Sequence, residues 1–416
     1  MDTITHGIVG ALAGRAFFAG RDVPASSADG AVRPSESDPT ARVGIAACTL
    51  GAIFPDIDVF AGPIARNPLA MLEWHRNITH SLVMLPLWAL LLAAVTLPLA
   101  RRVGWNPPSF AKLVGIYAFG LATHVFLDVV TNFGTMVWSP LNYSRVAWDW
   151  LFIVDLGFSG MALLPQFVAW CYREPAKFMR RAGMIWILFT GIAYVAYRVA
   201  DSAGYGFPAS IIGVISALIA VTVFLPAIGR YGFRWRRASW CRTGIAILCL
   251  YLAFAAVAHR RALAYAGDFA SSRHLSVEHV AALPLPPTLT HWTGVITTPE
   301  GVWRTTFRVP GGTLERAQLY PAAEANRYVA EAEQLRDVQV YLWFARFPIW
   351  QVTQSGGQTI ADVTDVRFFR GENIDASNNS EQSGRDAGMR NTAGFTFEVV
   401  FDSLGNVISH GFKRPE

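Results

Sequence analysis

Along the first 258 residues the apolar positions gather into long unbroken runs without two-residue alternation, and a bilayer crossing needs about 20 such residues. Residues 82–100, 113–130, 151–171, 183–200, 209–228 and 244–258 form six candidate crossings, the last of them short. Runs 4–18 and 43–54 are shorter and read as half-depth or interfacial helices packed against the bundle. Beyond Pro284-Leu285-Pro286-Pro287 the pattern changes, because the apolar runs shrink to strand length and turn residues increase. Stretches 302–309, 338–347, 350–354, 362–369 and 395–401 read as strands, 321–335 as a helix opened by proline, and 373–391 as a polar loop. The expected architecture is an all-α polytopic membrane bundle with an α+β domain outside the membrane. Its expected divisions are a metal-binding membrane domain at 1–171, further crossings at 172–258, a linker at 259–286 and the outer domain at 287–416.

Sidedness follows from the basic residues, since cytoplasmic loops carry the Lys/Arg excess. One loop holds Arg173, Lys177, Arg180 and Arg181, and another holds Arg230, Arg234, Arg236, Arg237 and Arg242. Two crossings separate them, so both share the cytoplasmic side, together with Arg101, Arg102 and Lys112. The opposite side receives loops 56–81 and 131–150 and everything after residue 258. Arg260 and Arg261 oppose this assignment but are outnumbered. A bacterial inner membrane with an extracytoplasmic outer domain is therefore expected.

Composition agrees with the pattern. The chain is 52% hydrophobic and only 16% charged, against about 25% charged in an average soluble protein. That balance excludes a disordered chain, a coiled coil and a disulfide-stapled secreted domain. The net charge of +5 comes from residues lying between apolar runs rather than along one face, so no nucleic-acid partner is expected. Membrane lipids are the expected partners. The four cysteines show no CxxC spacing and read as small buried apolar residues. Residues 1–18 lack the basic start and long apolar core of a cleaved signal peptide and are expected to be retained.

The histidines change the picture most. Of nine, only His6, His75, His80 and His124 fall in the first 255 residues, and each has acidic company. Asp2 precedes His6 by four residues, Asp128 follows His124 by four, and Asp56-Ile57-Asp58 reads as a loop that aims two carboxylates inward. A spacing of four places two side chains on one helix face, where they can grip one ion. His75 and His80 are five apart, which requires irregular chain geometry, with His80 expected in the first turn of a helix capped by Asn77 or Thr79. By the charge count His75, His80, His124, Asp128, Asp149 and Asp155 all arrive on one side of the membrane. Charges at that depth cost on the order of 2.5 to 3.5 kcal/mol each and are normally functional or paired. For Asp149 the alternative is an interfacial anchor, and for Asp155 a helix cap or a partner for Arg145 or Arg198.

Mixed His/Asp donors without cysteine suit zinc or manganese, and more than four donors suggest more than one ion. Such a centre activates water against a phosphoester. No Walker loop, Gly-x-Ser-x-Gly, Rossmann fingerprint or His-Glu-x-x-His is present. The proposed roles are Asp58 or Asp149 as base and Arg76 or Arg145 as steadying charge for the phosphate.

The segments Met1-Asp2-Thr3-Ile4-Thr5-His6, Phe54-Pro55-Asp56-Ile57-Asp58, His75-Arg76-Asn77-Ile78-Thr79-His80-Ser81-Leu82 and Gly120-Leu121-Ala122-Thr123-His124-Val125-Phe126-Leu127-Asp128 resemble, in order, the YdjM-type inner-membrane metal-dependent hydrolases. The resemblance covers about residues 1–155 and extends loosely through the later helices. That family is distantly similar to the zinc-dependent phospholipase C and single-strand nuclease superfamily, which is all-helical and carries a zinc cluster. The resemblance implies His6, Asp56 or Asp58, His75, His80, His124 and Asp128 as metal ligands. One departure is Met1-Asp2, where the secreted relatives carry a processed N-terminal Trp. The expected function is hydrolysis of a lipid or lipid-linked phosphoester. The rivals are a sensor or assembly protein with a structural metal and an ion transporter, although a transporter would need polar groups within the nearly all-apolar stretch 183–228.

Overall fold

The computed structural model describes residues 1–19, 39–202, 207–286, 288–323, 326–368 and 395–413. Helices α1 (Thr3–Phe17), α2 (Pro39–Ile53), α5 (Leu85–Arg102), α6 (Phe110–Val129), α7 (Leu156–Cys171), α8 (Phe178–Ser202), α9 (Ser210–Phe224) and α11 (Arg237–Ser272) make the bundle. Short helices α3 (Ala61–Ala65), α4 (Ala70–Glu73) and α10 (Tyr231–Arg234) sit in its connections. Small residues set the closest approaches. A Cβ added to Gly10 of α1 would lie 2.5 Å from Ala52, and one added to Gly120 of α6 would lie 2.6 Å from the Cys48 carbonyl. Backbones of α1, α2 and α6 therefore touch in a way that larger residues would prevent.

Among the described residues, six helical runs are long and apolar enough to cross a membrane: Thr40–Ala65, Leu85–Arg102, Phe110–Val129, Pro175–Ser202, Ser210–Arg234 and Arg237–Ser272. Leu87, Leu91, Val95 and Leu99 on α5 and Ile187, Val195 and Val199 on α8 are exposed, an apolar surface that lipid would cover. Two expectations change places. The run at 43–54 continues through a 3-10 segment, Phe54–Phe60, into α3, because Pro55 fits the first positions of the tighter turn. The expected crossing at 151–171 shortens to the 16 residues of α7, because Leu151 is held in a bridge to Thr131 before the helix starts at its cap, Asp155.

Helix α11 has 36 residues, so it is about 54 Å long, well beyond the roughly 30 Å hydrocarbon core. Its last turns project and pack Ala266, Phe269 and Ala270 on Ile296 and Phe307. Segment 259–286 is thus helix through Ser272 and strand from His279, where a linker is expected from the sequence. Beyond it, among the described residues, lie two four-stranded antiparallel sheets. The first runs in order β1 (His279–Leu285), β2 (His291–Thr298), β3 (Gly301–Arg308) and β4 (Thr313–Pro321). The second runs in order β5 (Pro348–Ser355), β6 (Gln358–Asp365), β7 (Thr396–Phe401) and β8 (Val407–Phe412). Between them stand α12 (Arg327–Ala332) and α13 (Arg336–Phe344).

Residues 338–347 are mostly helix rather than strand. Val338, Tyr341 and Phe344 recur every third position and bury one helical face, a spacing that a strand would split between two faces. Pro321 ends β4 instead of opening a helix, and α12 starts after Asn326, whose side chain accepts from the Tyr328 N–H. Strand β6 ends at Asp365 and gives way to a 3-10 turn over Val366–Phe368. The expected loop at 373–391 lies outside the described residues.

Candidate metal centre

Five chain positions meet at one end of the bundle. They are the start of α1, the 3-10 segment after α2, the turn before α5, the end of α6 and the start of α7. The Thr5 and Ser159 hydroxyls lie 2.6 Å apart, tying α1 to α7, and His124 on α6 bonds the last turn of α2.

The inner group consists of Asp56, His80, His124 and Asp128, all buried, with one donor atom of each within 4.8 Å of the others. His124 Nδ1 donates to the Ala52 carbonyl at 2.6 Å, which fixes the tautomer and leaves Nε2 free to face the carboxylates. Nε2 lies 3.0 Å from His80 Nε2, 3.5 Å from Asp56 and 3.4 Å from Asp128. His80 Nε2 lies 3.4 Å from Asp56 and 3.2 Å from Asp128. Donors bound at about 2.1 Å to one tetrahedral ion sit roughly 3.4 Å apart, so these separations fit a small divalent cation. His6 flanks the group, its ring stacked on His124 at 3.6 Å and its Nε2 3.2 Å from Asp128. His6 Nδ1 and Asp56 Oδ2 are buried without a hydrogen-bond partner, as donors reserved for an ion would be.

The outer group consists of Asp58, His75 and His80. His80 belongs to both, because its Nδ1 lies 3.2 Å from Asp58 while its Nε2 serves the inner group. Asp58 also accepts from His75 Nδ1 at 2.8 Å, from the Arg76 N–H at 3.0 Å and from the Thr79 hydroxyl at 3.0 Å. Arg76 takes a left-handed φ of 61°, the irregularity that lets His75 and His80 face one carboxylate. As expected, His75 precedes a helical turn that holds His80 and has Asn77 at its cap position, but the turn, Ile78–His80, is 3-10 and separate from α5, and Asn77 caps it with no side-chain bond. Burial pulls the His80 imidazole toward its neutral form, yet its bonds to the Asp128, Asp56 and Asp58 carboxylates prevail and hold its pKa up to about 10. His75 is lowered by burial, against the pull of Asp58.

Arg76 is buried against Asp128, with Nη2 at 2.9 Å and Nη1 donating to the Thr131 hydroxyl at 3.0 Å. The Met1 amino group also bonds Asp128. Asp58 and His75 open onto a cleft of about 430 Å³ lined also by Val59, Arg66, Asn67 and Met71.

Several expected residues go elsewhere. Asp149 is bidentate with Arg346 at 2.8 and 3.0 Å and is not among the converging donors. Asp155 caps α7 through the Phe158 N–H and accepts from the Tyr251 hydroxyl at 2.7 Å. Asp2 caps α1 through Thr5 rather than joining His6. Arg145 spends its guanidinium on the Leu72, Gly134 and His75 carbonyls, which removes it as a free cation for phosphate.

What sequence reasoning missed is the brace. Phe133 touches the His75 ring at 5.6 Å, lies under the Arg76 guanidinium at 4.8 Å, and packs in one apolar cluster with Leu72, Phe344 and Phe397. Arg367 donates to the Asn132 and Phe133 carbonyls at 3.2 Å each, and Arg336 pairs with Glu73 at 3.1 Å. The second sheet and α13 thus hold the loop that supports the outer group. Basic residues paired with a distant loop leave no local trace in the sequence.

Residues 1–205 match the family model described as YdjM inner membrane protein, a span that contains every donor of both groups. No curated protein and no solved structure matches the chain. The match and the apolar helices together mark a membrane protein.

Proposed function

We propose that the chain is a membrane-bound, metal-dependent hydrolase that cleaves a phosphoester of a lipid or lipid-linked substrate, in a bacterial inner membrane with the sheets on the extracytoplasmic side. One observation carries this: Asp56, His80, His124 and Asp128 are buried with one donor atom of each within 4.8 Å of the others, and His80 also faces Asp58 at the cleft, so these residues would hold a divalent ion beside an accessible site. An ion held by His and Asp donors is an arrangement that activates water against a phosphoester.

Asp56, His80, His124 and Asp128 would hold the inner ion with His6 at its edge, and Asp58, His75 and His80 the outer one. When bound, such ions, zinc or manganese, supply Lewis acidity and lower the pKa of a coordinated water. The chain supplies the rest. Asp58 is the carboxylate at the cleft, placed to take the proton of the attacking water, and with Asp149 committed to Arg346 it is the only one of the two expected bases left to do so. Arg76 balances the charge of Asp128 from within the protein. Helices α1, α2 and α6 keep the inner donors away from water.

The test is metal analysis of the purified protein, then a phosphoesterase assay on lipid phosphoesters with wild type, His80→Ala and Asp128→Ala. Bound metal with turnover lost in both variants supports the proposal. Metal retained with no turnover on any lipid phosphoester favours the second reading, a sensor or assembly protein with a structural ion, which the packing of the second sheet against the outer group supports.

A further inference from the structure

The cleft beside Asp58 and His75 joins two unlike surfaces. Arg66 lines it, is exposed, caps α3 in a left-handed conformation, and among the described residues has no hydrogen-bond or ion-pair partner for its guanidinium. Val59, Pro63, Pro68 and Met71 give the cleft an apolar wall. Outside it, Ile57, Phe60 and Ile64 are 54%, 64% and 82% exposed within one eight-residue stretch. Single exposed apolar residues need no explanation, but several together, within a helical run long and apolar enough to cross a membrane, form a surface suited to lipid.

We infer that this cleft admits a membrane lipid from the side, with a phosphate head between Arg66 and the Asp58–His75 group and its chains along Ile57, Phe60 and Ile64. The inference rests on the hydrolase proposal for why the head is brought there, but it concerns binding. Arg is the residue of choice for phosphate, because its planar fork makes paired charge-assisted bonds. Asp58 and His75 are bonded to one another, so Arg66 is the free cation of the cleft. A water-soluble phosphoester would meet the same guanidinium and gain nothing from the apolar rim, whereas a lipid gains in proportion to the apolar area covered.

The experiment uses the full chain in phosphatidylcholine nanodiscs doped with phosphatidic acid carrying a photoreactive diazirine in its acyl chain. A second probe is diacylglycerol with the same chain and no phosphate, and glycerol 3-phosphate is the soluble competitor. The expected result is labelling within residues 57–71 by phosphatidic acid, much weaker labelling by diacylglycerol and no competition by glycerol 3-phosphate. Arg66→Gln should cut the labelling about tenfold, the size of a lost charge-assisted hydrogen bond, with Arg66→Lys intermediate and metal content unchanged. Equal labelling of Arg66→Gln, equal labelling by diacylglycerol, or full competition by glycerol 3-phosphate would each overturn the inference. Labelling as expected without turnover of any lipid phosphoester sinks the hydrolase proposal and leaves the lipid site. Turnover of a lipid phosphoester without labelling sinks the lipid site and leaves the hydrolase proposal.

Discussion

The two donor groups that share His80 are built in opposite ways. Two of the four inner donors, His124 and Asp128, sit in a long helix whose backbone touches α2 through a glycine, and all four are buried. The outer donors Asp58 and His75 ride on 3-10 and irregular backbone, open onto a cleft, and depend on Phe133 and the second sheet for support. A rigid, dry set of ligands suits tight retention of an ion, while an open and braced set suits exchange with a substrate. One end of this bundle thus carries both an enclosed set of donors and one open to a cleft.

Asp128 gives the largest contrast. It faces Arg76, the Met1 amine, His6 and His80 with no exposed side-chain surface. Asp128→Ala leaves Arg76 buried and unpaired, a change that costs about 3–5 kcal/mol. A steep fall in melting temperature and loss of bound metal are expected in detergent. Asp58→Ala, at the cleft, should cost less, about 1–3 kcal/mol. If the two variants melt alike, the contrast between groups is gone.

Metal stoichiometry divides the groups next. His75→Ala should lower the metal content by the outer ion alone, whereas His80→Ala should empty both positions, as read by mass spectrometry of metal per chain.

A smaller effect is expected from the brace. Arg336→Ala removes the pairing with Glu73 next to the loop of the outer group, at a cost of about 0.2–1 kcal/mol for so exposed a pair. The outer ion should bind several-fold more weakly and the inner ion unchanged, checked by competition with a graded chelator. Equal weakening of both would show that α13 acts on the whole bundle.

The last contrast is one of pH. His80 has a pKa held above its ordinary 6.5, up to about 10, so the stability its proton lends to metal-stripped protein is complete below about pH 6.5 and fades as pH rises through 10. Metal-stripped protein should therefore melt at progressively lower temperature between those values. Metal-loaded protein, where an ion has displaced that proton, should show a flatter profile over the same range.

Much of this was legible in the sequence, for physical reasons that also mark the limits. Long apolar runs announce helices because a bilayer demands them, and the company each histidine keeps points to a cluster because unpaired charge at that depth is costly. The fate of Asp149 was hidden, since its partner Arg346 lies 197 residues away. Asp2 looked like a ligand, and Asp155 stood open between ligand and helix cap, because a cap and a ligand use the same carboxylate and only the neighbouring N–H groups decide. In the outer domain, aromatic and β-branched residues at 338–347 suggested a strand, while the three-residue burial of Val338, Tyr341 and Phe344 made a helix. Length misled at α2 and α7, where a tolerated proline extends one run and a bridge at Leu151 curtails the other.

The decisive measurement is X-ray absorption at the edge of whichever divalent metal copurifies, on wild type and His80→Ala. Joined donor groups predict a first shell of nitrogen and oxygen alone at about 2.0–2.2 Å with clear imidazole scattering, and no bound metal in the variant. A wild type that binds no divalent metal, or a His80→Ala protein that keeps the wild-type shell and stoichiometry, would contradict it.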